Sequence, residues 1–257
     1  MDNIQLIERE IELTEGFLDR LFGRESKKPQ TPEEPGEIYK YSKVGPNLYV
    51  GPVPPRFFEG KIVKGVGPIR GTKEISEIQD REAYDEIIER GVIYGLANSE
   101  DLTPQAELFR AKEIKSGPGW SFEDNEKQKL ASISQNQIDE ILGALKHAAE
   151  AVHDDMQSKP VLVTCVMGQN RSASAAALAL VLDGMEPKQA IDQVRSAASN
   201  HLRGRTAIVN KLFERYIMLQ PAGGPLLDPS EIPIEKLIGE ENLSEWTIRQ
   251  LVREILR

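Results

Sequence analysis

Apolar positions recur along the chain in two rhythms, a helical stripe in some stretches and a short continuous run in others. Ile4, Ile7, Ile11, Leu18 and Leu21 share one face of residues 3–22, with charges between them, which predicts an amphipathic helix stopped by Gly23. Residues 24–37 are polar and punctuated by proline, the composition of a linker. From residue 38 the pattern becomes that of a globular domain. Leu48–Val50 reads as strand, the Gly- and Pro-rich stretch 51–73 as loop, 80–90 as helix and 91–97 as a core strand. A further strand, Phe109 to Ile114, carries charges that suit a sheet edge. Gln137–Val152 places Ile138, Ile141, Leu142, Leu145, Ala149 and Val152 at helical spacing. After a buried strand at 161–163, helices are expected over Ala173–Leu182, Pro187–Ala198 and Thr206–Met218. Pro221-Ala-Gly-Gly-Pro is a break, and 244–257 reads as a last amphipathic helix with Ile248, Leu251, Val252, Ile255 and Leu256 on one face. Trp246 is placed to add to that face. Strands alternating with helices predict an α/β fold.

Chemistry concentrates where the run Val161 to Val163 meets the only cysteine, Cys165. Six positions later comes Arg171, and Ser172 opens the small-residue helix. Strand, short loop and helix together turn backbone N–H groups and a helix N-terminus into an anion cradle. A free thiol titrates near ~8.5, and a helix N-terminus with a neighbouring arginine lowers such a value into the range of about 3.5–7.5. Gly168 permits a tight turn, and a planar guanidinium binds two phosphate oxygens at once. The Ser172 hydroxyl is placed to hydrogen-bond a departing sulfur. A nucleophile beneath a bound phosphate is the result.

Cys165-X5-Arg171-Ser172, with Gly168 between, resembles the signature of the cysteine-dependent phosphatases, most closely their dual-specificity branch. Asn47-Leu-Tyr-Val-Gly51 is similar to the family's opening strand, and Arg205–Phe213 to its closing helix, so the likeness extends over roughly residues 40–218. It implies an α/β protein-phosphatase-like domain, 38–219, with a central, mostly parallel sheet flanked by helices. N- and C-terminal helical extensions (1–23 with linker 24–37, and 220–257) complete the organisation. It also implies a cysteinyl-phosphate intermediate formed on Cys165, phosphate held by the Val166, Met167, Gly168, Gln169, Asn170 and Arg171 loop, and Ser172 easing release. Substrates would be phosphotyrosine, phosphoserine or phosphothreonine in proteins, with no cofactor and no metal. One departure stands out: the family usually has histidine before the cysteine, where this chain has Thr164.

Such a mechanism needs an acid for the leaving oxygen, a step worth about 10²–10⁴-fold. In the family it is an aspartate on a mobile loop upstream of the helix that leads into the signature strand. Asp124 occupies that place, with Glu123 the alternative and an acidic solvated loop the non-catalytic reading. Gln169 and Asn170 would orient water or brace the loop. Arg195, Arg203 and Arg205 are either ordinary arginines or reach toward a second phosphate. His147 and His153 fall on a predicted helix and its end, and a Cys–His hydrolase would need a histidine turned toward Cys165. No protease signature surrounds the cysteine.

Composition narrows the class. The chain is 39% apolar, enough for one good core, and a lone cysteine excludes an intramolecular disulfide and a cysteine zinc cluster. No apolar run spans a bilayer, and the acidic, polar opening Met1-Asp-Asn-Ile-Gln is unlike a signal peptide, so a cytoplasmic protein is expected. Net charge is −9; residues 1–40 hold 10 acids and 6 bases, and 221–257 hold 7 and 4, leaving 24 against 22 between them. Acidity at the ends disfavours nucleic acid and anionic membrane as partners. The terminal helices either pack on the domain or serve a partner or self-association. Two other functions compete with protein dephosphorylation: a weakly active or inactive pseudophosphatase that binds phosphorylated partners, and a phosphatase for RNA 5′ ends or phosphoinositides.

Overall fold

The computed structural model describes residues 37–53, 56–58, 61–63, 75–97, 113–115 and 130–256. Residues 36–257 form one compact unit. The expected helix at 3–22, nearly all of the linker, and the acidic stretch with Glu123 and Asp124 lie outside the described residues.

Nine short strands and seven α-helices make up the described chain. The first part runs β1 (Glu37–Tyr39), β2 (Ser42–Lys43), β3 (Leu48–Pro52), β4 (Arg56–Phe58), β5 (Lys61–Val63), β6 (Ile75–Ile78), α1 (Arg81–Arg90), β7 (Val92–Gly95) and β8 (Glu113–Lys115). There follow α2 (Gln135–Met156), β9 (Val161–Cys165), α3 (Arg171–Leu182), α4 (Pro187–Leu202), α5 (Lys211–Met218), α6 (Ile234–Ile238) and α7 (Glu240–Ile255). The central sheet has the order β2-β3-β9-β7-β8, antiparallel between β2 and β3 and parallel elsewhere. The fold is therefore mixed α/β, with a small, mostly parallel sheet.

Strand β9 lies at its centre, and all five of its residues are buried, as expected for a parallel strand covered on both faces. Its side chains alternate. Val161, Val163 and Cys165 join the larger core, formed with α2, α3, α4 and α5, while Leu162 joins Tyr49, Ile93 and the α1 residues Tyr84 and Ile87 on the other face. Tyr39 and Tyr41 stack there, and the Tyr39 hydroxyl donates to the carbonyl of Pro52 (2.9 Å). Helix α3 is buried from Arg171 to Val181, and its alanines and serines let α2 and α4 approach on either side. Helix α2 starts at a capping box in which Ser134 and Gln137 satisfy each other's backbone N–H groups.

The structure amends several boundaries. Stretch 51–73 contains the antiparallel ribbon β4–β5 rather than loop alone. The strand expected at 109–114 is described only over Glu113–Lys115, and it does lie at the sheet edge. The helix expected from Thr206 begins at Lys211, because Ile208 is left-handed (φ 54°) and Asn210 caps the helix, accepting from Leu212 N–H at 3.0 Å. Residues Leu226, Ile232, Leu237 and Ile238 are buried in the larger core. Helix α7 turns the unexpected face inward: Trp246 and Gln250 donate to the Ile133 carbonyl and Arg253 to that of Ser132. Ile248, Leu251, Val252, Ile255 and Leu256 stay 47–79% exposed. Among the described residues no helix is long and apolar enough to cross a membrane.

Candidate active site

Parallel pairing delivers Cys165 to the carboxyl end of the sheet, where ligands of open α/β sheets bind. Its two neighbours stop with it: Pro52 pairs with Cys165, and Gly95 with Thr164. Proline offers no N–H and cannot extend the ladder, so the pairing of β3 with β9 ends there. Beyond β9 the chain runs through five residues, 166–170, and enters α3 at Arg171. Gly168 makes the turn possible with φ +71°. A Cβ there would meet Gly51 C at 2.6 Å, His201 Nε2 at 2.7 Å and Pro52 N at 2.8 Å, so the loop lies directly on the end of β3.

Cys165 is buried, with its Sγ 3.2 Å from Ser172 Oγ in the first turn of α3. Arg171 is almost wholly buried and donates from one terminal nitrogen to the Leu96 carbonyl, just past β7 (3.2 Å). Val166 packs against Val53 and Ala97 at the ends of β3 and β7, and Met167 is exposed. Thr164, the residue before the cysteine, is a buried strand residue whose hydroxyl donates to the Tyr94 carbonyl (3.0 Å).

Gln169 and Asn170 both brace the loop. Gln169 donates to the Thr206 carbonyl (2.8 Å) and accepts at its own carbonyl from Ile208 N–H (2.9 Å). Asn170 Oδ1 accepts from Val209 N–H (2.9 Å) and Asn210 N–H (3.2 Å). Arg195 supports the same segment, donating to the carbonyls of Ala207 (3.1 Å) and Ile208 (2.9 Å) and pairing with Glu214 (2.9 Å). Burial alone would raise the Glu214 carboxyl, but hydrogen bonds from Lys211 and Arg195 hold it below its usual range. Arg195 is therefore structural, while Arg203 and Arg205 are exposed.

His153 lies against Asp154 (3.5 Å) and Asp183 (3.9 Å). Asp183 caps the far end of α3, about 18 Å from the loop at 1.5 Å per residue, so His153 has no part in the site. The histidine that does reach it is His201, which contacts the Gly168 carbonyl. Nothing local in Asn200-His201-Leu202 marked it, because its partners are 33 and 159 residues away.

The arrangement brings together the Cys165 sulfur with a hydroxyl beside it, the Arg171 guanidinium at a helix N-terminus, and a loop whose Gly168 and Gln169 carbonyls are both hydrogen-bonded. No family model matches the chain, and no curated protein matches it. A similar solved structure is the crystal structure of the PTP-2 phosphatase of Cydia pomonella, 17% identical, with a TM-score of 0.33 and coverage of 64% of this chain and 86% of that one.

Proposed function

We propose that the protein hydrolyses phosphomonoesters through a cysteinyl-phosphate on Cys165, acting as a dual-specificity-type phosphatase on phosphorylated tyrosine, serine or threonine of proteins. The observation that carries this reading is the Cys165–Ser172 contact of 3.2 Å beneath a loop turned by Gly168 and closed by Arg171 at the start of α3. In the first step the sulfur attacks phosphorus as thiolate, the ester P–O bond breaks, and the leaving oxygen takes a proton from Asp124. In the second, water attacks phosphorus and gives its proton to the Asp124 carboxylate. The P–S bond breaks, and the Ser172 hydroxyl hydrogen-bonds the departing sulfur. Arg171 and the N–H groups from Val166 to Arg171 stabilise the charge on the equatorial oxygens.

The test is hydrolysis of para-nitrophenyl phosphate between pH 5 and 8, beside phosphopeptides, an RNA 5′ end and phosphoinositides. Cys165→Ser should abolish turnover, and Asp124→Asn should lower it by about 10²–10⁴-fold. Turnover that survives Asp124→Asn moves the acid to Glu123 or elsewhere. A wild type that binds phosphopeptide without turnover makes the chain a phosphate-reading module, and preference for RNA or lipid phosphate removes the protein substrate.

A further inference from the structure

His201, in the last turn of α4, lies between an edge strand and the loop. Its Nδ1 is 2.8 Å from Ser42 Oγ of β2, and its Nε2 is 3.1 Å from the Gly168 carbonyl oxygen. A carbonyl only accepts, so Nε2 carries the hydrogen, and bare Nδ1 accepts from the Ser42 hydroxyl. One neutral tautomer is thereby selected. Burial holds the imidazole below its ordinary titration range, against the opposing pull of the Gly168 carbonyl. Ser42 is itself buried, and the preceding Asn200 donates to the Tyr41 carbonyl (3.3 Å) and to Gln79 (3.1 Å), fixing the end of α4 against the β2 corner.

In a trans peptide the C=O and N–H point in opposite directions. Holding the Gly168 oxygen toward His201 therefore directs the Gln169 N–H the other way. The next peptide repeats the pattern: Ile208 N–H holds the Gln169 oxygen, which directs the Asn170 N–H away from segment 206–210. Both carbonyl oxygens thus lie on the packed side of the loop. Of the two peptides, the one after Gly168 turns over more easily, because its reversal rotates ψ of Gly168, and at φ +71° a residue without a Cβ tolerates a wide range of ψ. Reversed, it would aim a carbonyl lone pair at a bound oxyanion.

We propose that His201, oriented by Ser42, is a positioning residue that keeps the Gly168 carbonyl turned out of the cradle so that the loop presents N–H groups to phosphate. This rests on the phosphatase reading given above. The test uses the full-length chain, with inorganic tungstate binding by calorimetry, para-nitrophenyl phosphate kinetics and melting temperature measured together. His201→Phe keeps ring volume and loses the donor, so tungstate affinity and kcat/KM should fall about tenfold or more. His201→Gln, whose amide nitrogen reaches the same carbonyl, should return both to within about threefold of wild type, the size of a retained hydrogen bond. Ser42→Ala, which frees the tautomer, should give a smaller loss in the same direction and carries the test if His201→Phe does not fold.

The role is overturned if His201→Phe or, in its place, Ser42→Ala leaves tungstate affinity and turnover at wild-type values. It is equally overturned if His201→Gln loses as much as His201→Phe. A wild type that binds tungstate while the donor-less variant is unaffected defeats the positioning role alone. A wild type that neither binds tungstate nor turns over substrate defeats the phosphatase reading, and the positioning role with it.

Discussion

Asn170 is the position where stability and anion binding should come apart. Its buried Oδ1 accepts the backbone N–H groups of Val209 and Asn210, at 2.9 and 3.2 Å. Asn170→Ala removes the acceptor from both. Val209 is half-buried and Asn210 buried, so water reaches the first N–H more readily than the second. Allowing about 1 kcal/mol for the first and about 2–3 kcal/mol for the second gives a loss of about 3–4 kcal/mol. At about 2–4 °C per kcal/mol for a domain of this size, melting should fall by roughly 6–16 °C.

Asn170→Asp keeps the acceptor and places a negative charge at the N-cap of α3, which favours the helix and strengthens both hydrogen bonds. Its melting temperature should equal or exceed that of wild type. The same charge sits beside Arg171 and opposes an incoming oxyanion, so tungstate affinity should drop about tenfold or more. Thermal denaturation and tungstate calorimetry on the two variants check the argument. If the alanine variant melts within about 2 °C of wild type, or the aspartate variant falls as far as it does, the brace does not carry the energy assigned to it.

Gly168→Ala should cost about 2–5 kcal/mol and abolish tungstate binding, because a left-handed backbone is strained by a Cβ and two of its three nearest contacts are unyielding backbone atoms; urea denaturation and calorimetry read both, and a variant that binds normally refutes it. Asp155 accepts from Lys115 (2.7 Å), Tyr94 (2.6 Å) and Lys159 (3.2 Å), and although burial raises its carboxyl, these bonds together hold it below the usual range. A depressed carboxyl stabilises above its unfolded value and loses that contribution as pH falls through the folded one. Asp155→Asn should therefore be less stable by about 1–2 kcal/mol at pH 7, after allowance for solvent screening, with the gap closing below about pH 4 in urea titrations; a constant gap contradicts this. On α7, Leu251→Glu and Ile255→Glu should change stability by no more than about 0.5 kcal/mol, whereas Trp246→Ala should lose roughly 1–3 kcal/mol. The reverse order in denaturant melts would mean that α7 packs through its apolar stripe.

The strand, loop and helix around Cys165 were legible because every feature that makes them lies within about twenty residues: a buried β-branched run, a glycine, an arginine and an alanine-rich helix. Bracing by Gln169 and Asn170 was one of two readings open to those residues, but the partners of the braces were not legible. Asn170 reaches Val209 and Asn210, Arg195 the carbonyls of 207 and 208, and His201 both Ser42 and Gly168, and no periodicity reports contacts over such separations. Short strands such as β2 and β4 hold too few residues to show alternation. The stripe of α7 misled because a helix docks by whichever face finds partners, and here Trp246, Gln250 and Arg253 meet the carbonyls of Ser132 and Ile133.

Strand order has a consequence for how the protein is made. In the central sheet β9 joins β3 to β7, yet it is the last of the five strands to be synthesised. A growing chain carries β3 and β7 with open edges, separated by the place their common neighbour will take. No local pairing closes that gap; the sheet waits for residues 161–165, more than one hundred positions after β3. Until then the nascent chain has unpaired edges of the kind that chaperones cover. The segment that finally joins the two halves ends at Cys165, so the reacting loop comes into being as the sheet closes, and a chain stopped short of that residue has neither.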